Sequence, residues 1–294
     1  MPRWLRWIGY GLATAVALLA LAVIAVYVVT GRRFAERHEI AGRPIPAATD
    51  SAALARGRHL ADAVGKCAEC HGEDLGGKVM NDDFVFGRLV GANITAGRGG
   101  LRGWSDADWE RAIRHGVSRD GRPLFFMPAE AFQTMGDADL AALVAYLRTV
   151  PPVDREVPAF RAGPMARALY LGGAFPLLPV ELVRHDSVGG DAPPAGQTPE
   201  YGRYLAAIGG CTSCHGADLR GTGDPAAPAI TDAKHASWSE ADFFTALRRG
   251  TRPDGTTIDP NKMPWVASGR MTDDEIRAVW AYIRSVPPME TASR

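Results

Sequence analysis

The hydrophobic pattern of this chain begins with one long apolar run. From Trp7 to Thr30 there are 24 residues without a charge, most of them Leu, Val, Ala or Ile. A helix of that length spans the roughly 30 Å hydrocarbon core of a bilayer, and it is longer than the apolar part of a cleaved signal peptide, about 7 to 15 residues. The run therefore predicts an uncleaved transmembrane anchor within residues 1–33. A polar, proline-containing tether follows over residues 34–50.

After the tether, apolar residues recur at helical spacing. In residues 51–152 the pattern predicts a helix from Ser51 to Ala68, a glycine-rich loop, a helix from Ser105 to Gly116 and a closing helix from Asp137 to Val150. The closing helix ends at a Pro-Pro pair, because proline cannot continue a helix. These residues predict a first helical domain.

The same order returns in residues 199–294. Ser239 parallels Ser105 as a helix cap, and Thr272 with Glu275 forms a capping box before a last helix that also ends in Pro-Pro. The fold class is therefore predicted as all-α, with a transmembrane helix followed by two tandem copies of one domain.

The segment between the copies, residues 153–198, contains an apolar stretch over residues 161–184. Charges and prolines at Arg167, Pro176, Pro179 and Glu181 interrupt the stretch, which argues against a second membrane span. It is expected to form short helices that cover the seam between the domains or a partner surface. Residues 185–199 have linker composition.

Each domain contains one copy of the motif Cys-x-x-Cys-His. The copies consist of Cys67, Cys70 and His71, and of Cys211, Cys214 and His215. Two cysteines three positions apart lie on one face of a helical turn, so both thiols reach the two vinyl groups of one porphyrin, and the next histidine lies below the iron. The motif therefore predicts two covalently bound haems c.

Other uses of these cysteines are less consistent with the sequence. A thioredoxin-like pair needs a βαβ setting and no following histidine, and a zinc site made from two such pairs has them about 15 to 20 residues apart. Here 144 positions separate His71 from His215. The motifs use all four cysteines, so no disulfide is expected.

The sixth iron ligand is predicted to be a methionine in each domain. Met127 and Met263 each precede a proline in a loop before the closing helix, whereas an isolated methionine on an apolar stretch is more often a packing residue. The alternative ligands are Met80 and Met135 in the first domain, and Met271 and His235 in the second. His59 and His115 are candidates only for a haem with two histidine ligands.

This order of a Cys-x-x-Cys-His helix, a loop, Met-Pro and an amphipathic closing helix resembles a class I cytochrome c domain. The resemblance implies axial ligation by His71 with Met127 and by His215 with Met263, and a closing helix that crosses the first helix. It also extends, beyond residue 50, to the cytochrome c subunits of membrane-bound alcohol and gluconate dehydrogenases. Those subunits contain three haem motifs, whereas this chain contains two and has its anchor at the N-terminus.

Composition and ligation together predict the function. The 294 residues include 33 basic and 33 acidic side chains, so no nucleic-acid partner is expected. With both axial positions filled, neither iron has an open site, and the predicted function is electron transfer without bond-making catalysis. The expected partners are the lipid of a bacterial inner membrane, through residues 7–30, and redox proteins or a larger membrane complex that the haems connect.

The location and the alternative function follow from haem chemistry. Covalent attachment outside the cytoplasm predicts haem domains in the periplasm and an N-terminus inside. The alternative is a di-haem peroxidase in which one iron has an exchangeable site.

Overall fold

The computed structural model describes residues 2–223, 227–231, 235 and 237–287. The chain is mostly helical, with an N-terminal helix and two helical domains, as the sequence predicts. Helix α1 (Arg3–Ala35) contains 33 residues, about 50 Å at the usual rise, and its apolar side chains are exposed. Among the described residues it is the one helix that is long and apolar enough to cross a bilayer.

The segment after α1 is fixed to the first domain. The backbone N–H of Arg43 donates to the Glu110 carboxylate at 3.0 Å, and the N–H of His38 donates to the carbonyl oxygen of Gly121 at 2.8 Å. A Cβ at Gly42 would lie 1.9 Å from the carbonyl oxygen of Ala107. Residues 36–49 therefore follow the domain surface as an irregular strap, whereas the sequence predicts a tether that only sets a distance.

The first domain contains five helices. They are α2 (Ser51–His59), α3 (Cys67–His71), α4 (Asp106–His115), α5 (Ala129–Phe132) and α6 (Asp137–Thr149). Asp50 caps α2 by accepting a bond from the N–H of Ala53 at 2.8 Å, and α2 continues as a π-helical turn over Leu60–Val64. The prediction of one helix from Ser51 to Ala68 was wrong at its end, because Lys66 adopts a left-handed conformation (φ 54°) and breaks the helix before the first cysteine.

The loop after α3 contains a β-hairpin that the sequence does not predict. Strands β1 (Lys78–Asp83) and β2 (Gly87–Gly91) pair antiparallel, with a bulge after Val79, and β2 also pairs antiparallel with β3 (Arg161–Ala162). The hairpin accounts for most of the extra length of this loop. Gly77 and Ala92 are 15 positions apart, whereas the equivalent Gly221 and Pro228 in the second domain are 7 apart.

The connecting segment packs on the first domain and on α1. Helix α7 (Pro164–Leu171) and a 3-10 turn (Pro179–Glu181) contribute to a small core. That core consists of Val117, Ala162, Ala166, Tyr170, Leu177, Leu178 and Val180, with Phe34 of α1 against it. The expected short helices are confirmed, and they pack on the first domain and on α1.

The second domain repeats the helix order of the first. Its helices are α8 (Pro199–Ile208), α9 (Cys211–His215), α10 (Glu240–Arg249), α11 (Trp265–Ser268) and α12 (Asp273–Ser285). The predicted caps at Ser105 and Ser239 and the predicted capping box at Thr272 are confirmed, and each of the three accepts a bond from the N–H three positions later. The final Pro-Pro pair is described only to Pro287, and Pro288 lies outside the described residues.

In each domain the closing helix packs tightly across the first helix. A Cβ at Gly57 of α2 would lie 1.9 Å from the carbonyl oxygen of Ala142 in α6. A Cβ at Gly202 of α8 would lie 1.8 Å from the carbonyl oxygen of Ala278 in α12. Only glycine permits this approach. The first and closing helices therefore cross at the same close distance in both domains, as the cytochrome c resemblance implies.

The two domains share one hydrophobic core. Leu60 and Val64 of the π-helical turn belong to the same cluster as Leu205 and Ile276 of the second domain, and all four are buried. Helix α5 contacts α8, and α11 contacts the π-helical turn. The helix that follows each Met-Pro pair therefore packs on the other domain, and this contact brings the two motif-bearing helices toward each other.

Candidate haem-binding sites

The two Cys-x-x-Cys-His motifs form separate, equivalent helical turns. Helix α3 begins at Cys67 after left-handed Lys66, and α9 begins at Cys211 after left-handed Gly210 (φ 72°). Burial raises the pKa of the Cys67 thiol to about 12 and also raises that of Cys211. None of the four cysteines forms a disulfide, and in each helix the spacing places both on one face.

A backbone carbonyl orients each motif histidine. Nδ1 of His71 lies 2.7 Å from the carbonyl oxygen of Ala92, and Nδ1 of His215 lies 2.7 Å from that of Pro228. Because a carbonyl oxygen only accepts, Nδ1 carries the proton and the lone pair of Nε2 is free for a metal. Burial lowers the pKa of both rings, although these hydrogen bonds oppose the shift, so both stay in the neutral form that coordinates iron.

The carbonyl acceptors were not predicted, although the sequence contains a signal for them. Ala92 and Pro228 are 136 positions apart, the same offset as Met127 and Met263, and each lies two positions before an isoleucine. Those isoleucine N–H groups donate to equivalent carbonyl oxygens at 3.0 Å, Ile94 to Leu75 and Ile230 to Leu219. Alignment of the repeats on the methionines would therefore have identified the acceptors.

In the second domain the predicted ligands surround one cavity of about 410 Å³. Cys211, Cys214, His215 and Met263 all line it. Its other walls are mainly apolar and include Leu219, Phe243, Leu247, Val279, Trp280 and Ile283. Two thiols and an imidazole on one side, a thioether and apolar walls match the chemistry of a haem c, so the residues present fit that group.

The first domain places its Met-Pro pair in the same way. Pro128 and Pro264 have ψ angles of 59° and 58°, and the N–H two positions after each methionine bonds to the methionine carbonyl oxygen at 2.7 Å. Met127 and Cys67 are half-buried, and both pack against the main core. The matching backbone favours the same function for both methionines.

The alternative ligands of the first domain have other contacts. Met135 is fully buried in the core, and Met80 lies on β1. Nε2 of His59 lies 2.6 Å from Glu275, and both ring nitrogens of His115 face polar partners, since Nδ1 lies 2.8 Å from His185 and Nε2 lies 3.6 Å from Glu110. These positions support Met127.

In the second domain, both alternatives line the cavity together with Met263. Met271 is buried, and it corresponds to Met135 at the offset of 136. The ring of His235 lies 4.9 Å from the ring of Trp238. The assignment of Met263 therefore depends on its equivalence with Met127 and stays a prediction.

The wall of the second cavity includes residues of the first domain. Val64 and Lys66, which precede Cys67, line the cavity beside Cys211 and His215. Nζ of Lys66 donates to the carbonyl oxygen of Gly209 at 2.5 Å. The first motif helix therefore begins at the boundary of the second site.

A buried ionic network at the domain interface was not predicted. The Arg56 guanidinium forms two 2.9 Å bonds to Asp139 of its own domain and a third, also 2.9 Å, to Glu275 of the second domain. The Tyr204 hydroxyl donates to Asp139 at 2.6 Å and accepts a bond from the N–H of Gly136 at 3.0 Å. These bonds fix the relative orientation of the two sites.

Comparison with known proteins agrees with this geometry. A family model described as cytochrome c matches residues 200–287, and a model described as cytochrome c oxidase, cbb3-type, subunit III matches residues 52–147. A protein of Cereibacter sphaeroides named diheme cytochrome c-type is 32% identical over 260 residues, which cover 77% of this chain and 84% of that protein. The chain belongs to the c-type cytochromes. Its two cytochrome c domains support haem c binding and a function in electron transfer.

This cytochrome is also similar to parts of larger proteins. A nicotinate dehydrogenase subunit of Pseudomonas putida is 32% identical over 263 residues, and the cytochrome c subunit of a quinone alcohol dehydrogenase of Gluconacetobacter polyoxogenes is 28% identical over 278. The matches cover 80% and 82% of this chain, but the chain spans only 21% and 57% of those relatives. The resemblance to cytochrome subunits of dehydrogenases is confirmed.

Proposed function

We propose that this chain is a membrane-anchored di-haem cytochrome that transfers electrons between two haems c and redox partner proteins. The observation that carries the proposal is that Val64 and Lys66, which directly precede the first motif, line the cavity of the second site. Electron tunnelling decreases steeply with distance, so adjacent sites favour transfer within the chain. When bound, each haem c supplies an iron that gains and loses one electron.

The side chains of the chain hold and tune these groups. Cys67 and Cys70, and likewise Cys211 and Cys214, would hold the porphyrins covalently through their thiol sulfurs, and His71 and His215 would bind iron through Nε2. Met127 and Met263 would supply the remaining ligand of each iron, so neither haem would have a site open to oxygen or peroxide. Methionine ligation raises the potential relative to two histidines, so the cytochrome functions in a high-potential respiratory or photosynthetic chain.

Helix α1 anchors the protein in the bacterial inner membrane through residues 7–30. Its length and apolar surface suit a bilayer, and haem attachment outside the cytoplasm requires periplasmic domains. The haem domains comprise residues 51–152 and 199–294. Labelling in intact cells should find residues after Ala35 accessible from the periplasm, and a cytoplasmic location would overturn this topology.

The names of the relatives support a partner of a particular kind. Two of them are named as a dehydrogenase subunit and as the cytochrome c subunit of a quinone dehydrogenase. By analogy, this chain accepts electrons from a membrane dehydrogenase or another membrane complex and delivers them to a second redox protein. Isolation of the native complex and identification of its subunits test the partner.

Spectroscopy of the purified full-length protein tests the central proposal. We expect two haems per chain, each lost separately in the variants Cys70→Ser and Cys214→Ser. The oxidised wild-type protein should be fully low-spin, with the weak sulfur-to-iron band of methionine-ligated haem from both sites. A high-spin signal with peroxide turnover would instead favour the di-haem peroxidase alternative.

A further inference from the structure

The hairpin of the first domain exposes an apolar tip. The turn between β1 and β2 consists of Phe84, Val85 and Phe86, whose exposed fractions are 79%, 45% and 50%. The equivalent loop of the second domain is shorter by eight residues (15 minus 7 positions) and contains no such sequence. A large aromatic side chain exposed to this degree, beside a second one, indicates a surface that contacts something apolar.

The backbone of this tip is ordered although its side chains are exposed. The N–H of Phe86 donates to the Asp83 carboxylate at 2.6 Å, and the Asn81 amide donates to the same carboxylate at 2.8 Å and to the carbonyl oxygen of Gly87 at 3.0 Å. Arg88 pairs with Asp82 at 2.8 Å, one residue pair before the turn. The turn therefore holds the phenylalanines in place, so they are preorganised for binding.

The tip is connected directly to helix α7. The N–H of Met165 donates to the carbonyl oxygen of Val85 at 3.0 Å, and the N–H of Gly163 donates to that of Phe86 at 2.9 Å. Met165 and Leu171 of α7 are themselves exposed, by 44% and 37%. Between Ala162 and Val180 the only charged residue is Arg167. The tip and α7 thus adjoin each other, and Asp82, Asp83 and Arg88 at the strand ends are the charged side chains beside the tip.

Helix α7 in turn packs on the outer end of the membrane helix. The Arg167 guanidinium donates to the hydroxyl of Thr30 at 2.5 Å and lies 4.5 Å from the centre of the Tyr27 ring. Two positions of α7, about 3 Å of helical rise, separate Arg167 from the residue bonded to the tip. Tyr27 and Thr30 lie in the last turn of the uncharged run, where aromatic side chains commonly mark the membrane boundary. The tip and α7 therefore lie beside the outer end of α1, near the expected membrane boundary.

We propose that Phe84, Val85 and Phe86, together with Met165 and Leu171, form a membrane-docking surface that inserts into the outer leaflet beside α1. Such surfaces bury apolar side chains about 5–10 Å into the boundary between headgroups and acyl chains. The inference rests on the proposed anchoring by α1. Because α1 and the first domain pack on each other, docking at a second point restricts the tilt of the two together, and so gives the first haem site a fixed orientation toward the membrane.

Spin labels in the full-length protein in phospholipid nanodiscs test this surface. The variants Leu19→Cys, Phe84→Cys and Asp274→Cys are labelled separately with a nitroxide, and the haem spectrum of each variant checks its fold. Relaxation by oxygen reports contact with lipid, and relaxation by a water-soluble nickel complex reports contact with water. Asp274 is exposed and lies among charged residues of the second domain, so it serves as the aqueous control.

The three positions separate the possible outcomes. We expect the ratio of oxygen to nickel accessibility at position 84 to be severalfold higher than at 274 and similar to that at 19. A water-like ratio at 84 with a lipid-like ratio at 19 would overturn docking while leaving the anchor intact. Protection of position 84 from both reagents would instead indicate a protein contact and would also overturn docking. A water-like ratio at 19 would contradict the anchor and docking together.

A second variant tests the role of the side chains themselves. The pair Phe84→Ser with Phe86→Ser retains the hairpin bonds, all of which involve other side chains or the backbone. With a label at Val85→Cys, the lipid-like ratio should fall severalfold towards the aqueous control in this pair. An unchanged ratio would contradict a role for the phenylalanines in docking.

Discussion

At the scale of single residues, the two methionines of the second site have different surroundings. Met263 is half-buried in the loop before α11, whereas Met271 is buried and belongs to the core that both domains share. Each has a counterpart 136 positions earlier, Met127 and Met135. Because both methionines recur at the same offset, we expect each domain to have one ligand and one packing residue. A Met→Leu substitution should therefore remove iron ligation at one position and leave it intact at the other.

Met263→Leu should remove the sulfur-to-iron band of one haem and lower the potential of that haem, while stability changes by less than about 1.5 kcal/mol. The matched control Met271→Leu should retain both bands and both potentials. Absorption spectra and redox titrations of the two variants check this. Loss of the sulfur-to-iron band in Met271→Leu, with a wild-type spectrum in Met263→Leu, would reverse the assignment.

Glu275 makes the folding stability depend on pH in the acid range. Burial alone would raise its pKa, but hydrogen bonds from His59, the N–H of Thr272 and Arg56 outweigh burial and lower the pKa from 4.5 to about 2. The stabilisation is therefore complete above pH 4.5 and is lost as pH falls towards 2, by up to about 3 kcal/mol. The stability difference between wild type and Glu275→Gln should shrink over this range.

Thermal unfolding of both proteins between pH 6 and about pH 3 checks this linkage. Asp274→Asn is the control, since the Asp274 side chain is 70% exposed and its removal should leave the acid dependence unchanged. A wild-type acid profile in Glu275→Gln would show that this carboxylate does not contribute.

At the scale of elements, the crossing of the first and closing helices sets the geometry of each domain. Gly57→Ala introduces a Cβ that must displace the backbone of α6, because it would lie 1.9 Å from the carbonyl oxygen of Ala142. We expect a loss of stability of about 1–3 kcal/mol or more, measured by denaturant unfolding of the haem-loaded protein. Gly196→Ala is the control, because its Cβ would be 3.8 Å from the nearest side chain. Equal stability of the two variants would contradict the tight crossing.

Elements with local signals were predictable, and those that depend on distant partners were not. Helix caps such as Ser105 and Thr272 act within three residues, so the sequence alone identifies them. Strand β1 shows no alternation of buried and exposed residues, and β2 depends in part on a distant partner, since it also pairs with residues 161–162. The break at Lys66 is also invisible in the hydrophobic pattern, because it depends on the left-handed conformation of that one residue.

The same division holds for the sites. The cysteines, histidines and Met-Pro pairs follow from short motifs. The carbonyl oxygens of Ala92 and Pro228 carry no side-chain signal, and the bond from Arg56 to Glu275 joins residues 219 positions apart. Chemistry at a site was therefore predictable, whereas the orientation of one site toward the other was not.

At the scale of the whole molecule, the two domains pack on each other through equivalent helices. The helix after each Met-Pro pair contacts the other domain, and one core extends through the interface. Arg56 lies in the polar part of this interface and bonds to both Asp139 and Glu275, whose side chains are 12% and 6% exposed. Its substitution should therefore affect both domains together.

Arg56→Met removes the charge, so Asp139 loses its ion-pair partner and Glu275 loses one of its bonds while keeping those from His59 and the N–H of Thr272. Breaking a buried ion pair in this way typically costs about 3–5 kcal/mol. Hydrogen exchange of α6 and α12 measures the opening free energy of each domain. We expect both helices to lose protection in this variant, because each carries one of the carboxylates. The control Arg148→Met breaks an exposed pair with Asp106, for which the cost should be below about 1 kcal/mol. Loss of protection in α6 alone would show that the bond to Glu275 does not couple the domains, and that each haem domain keeps its stability independently.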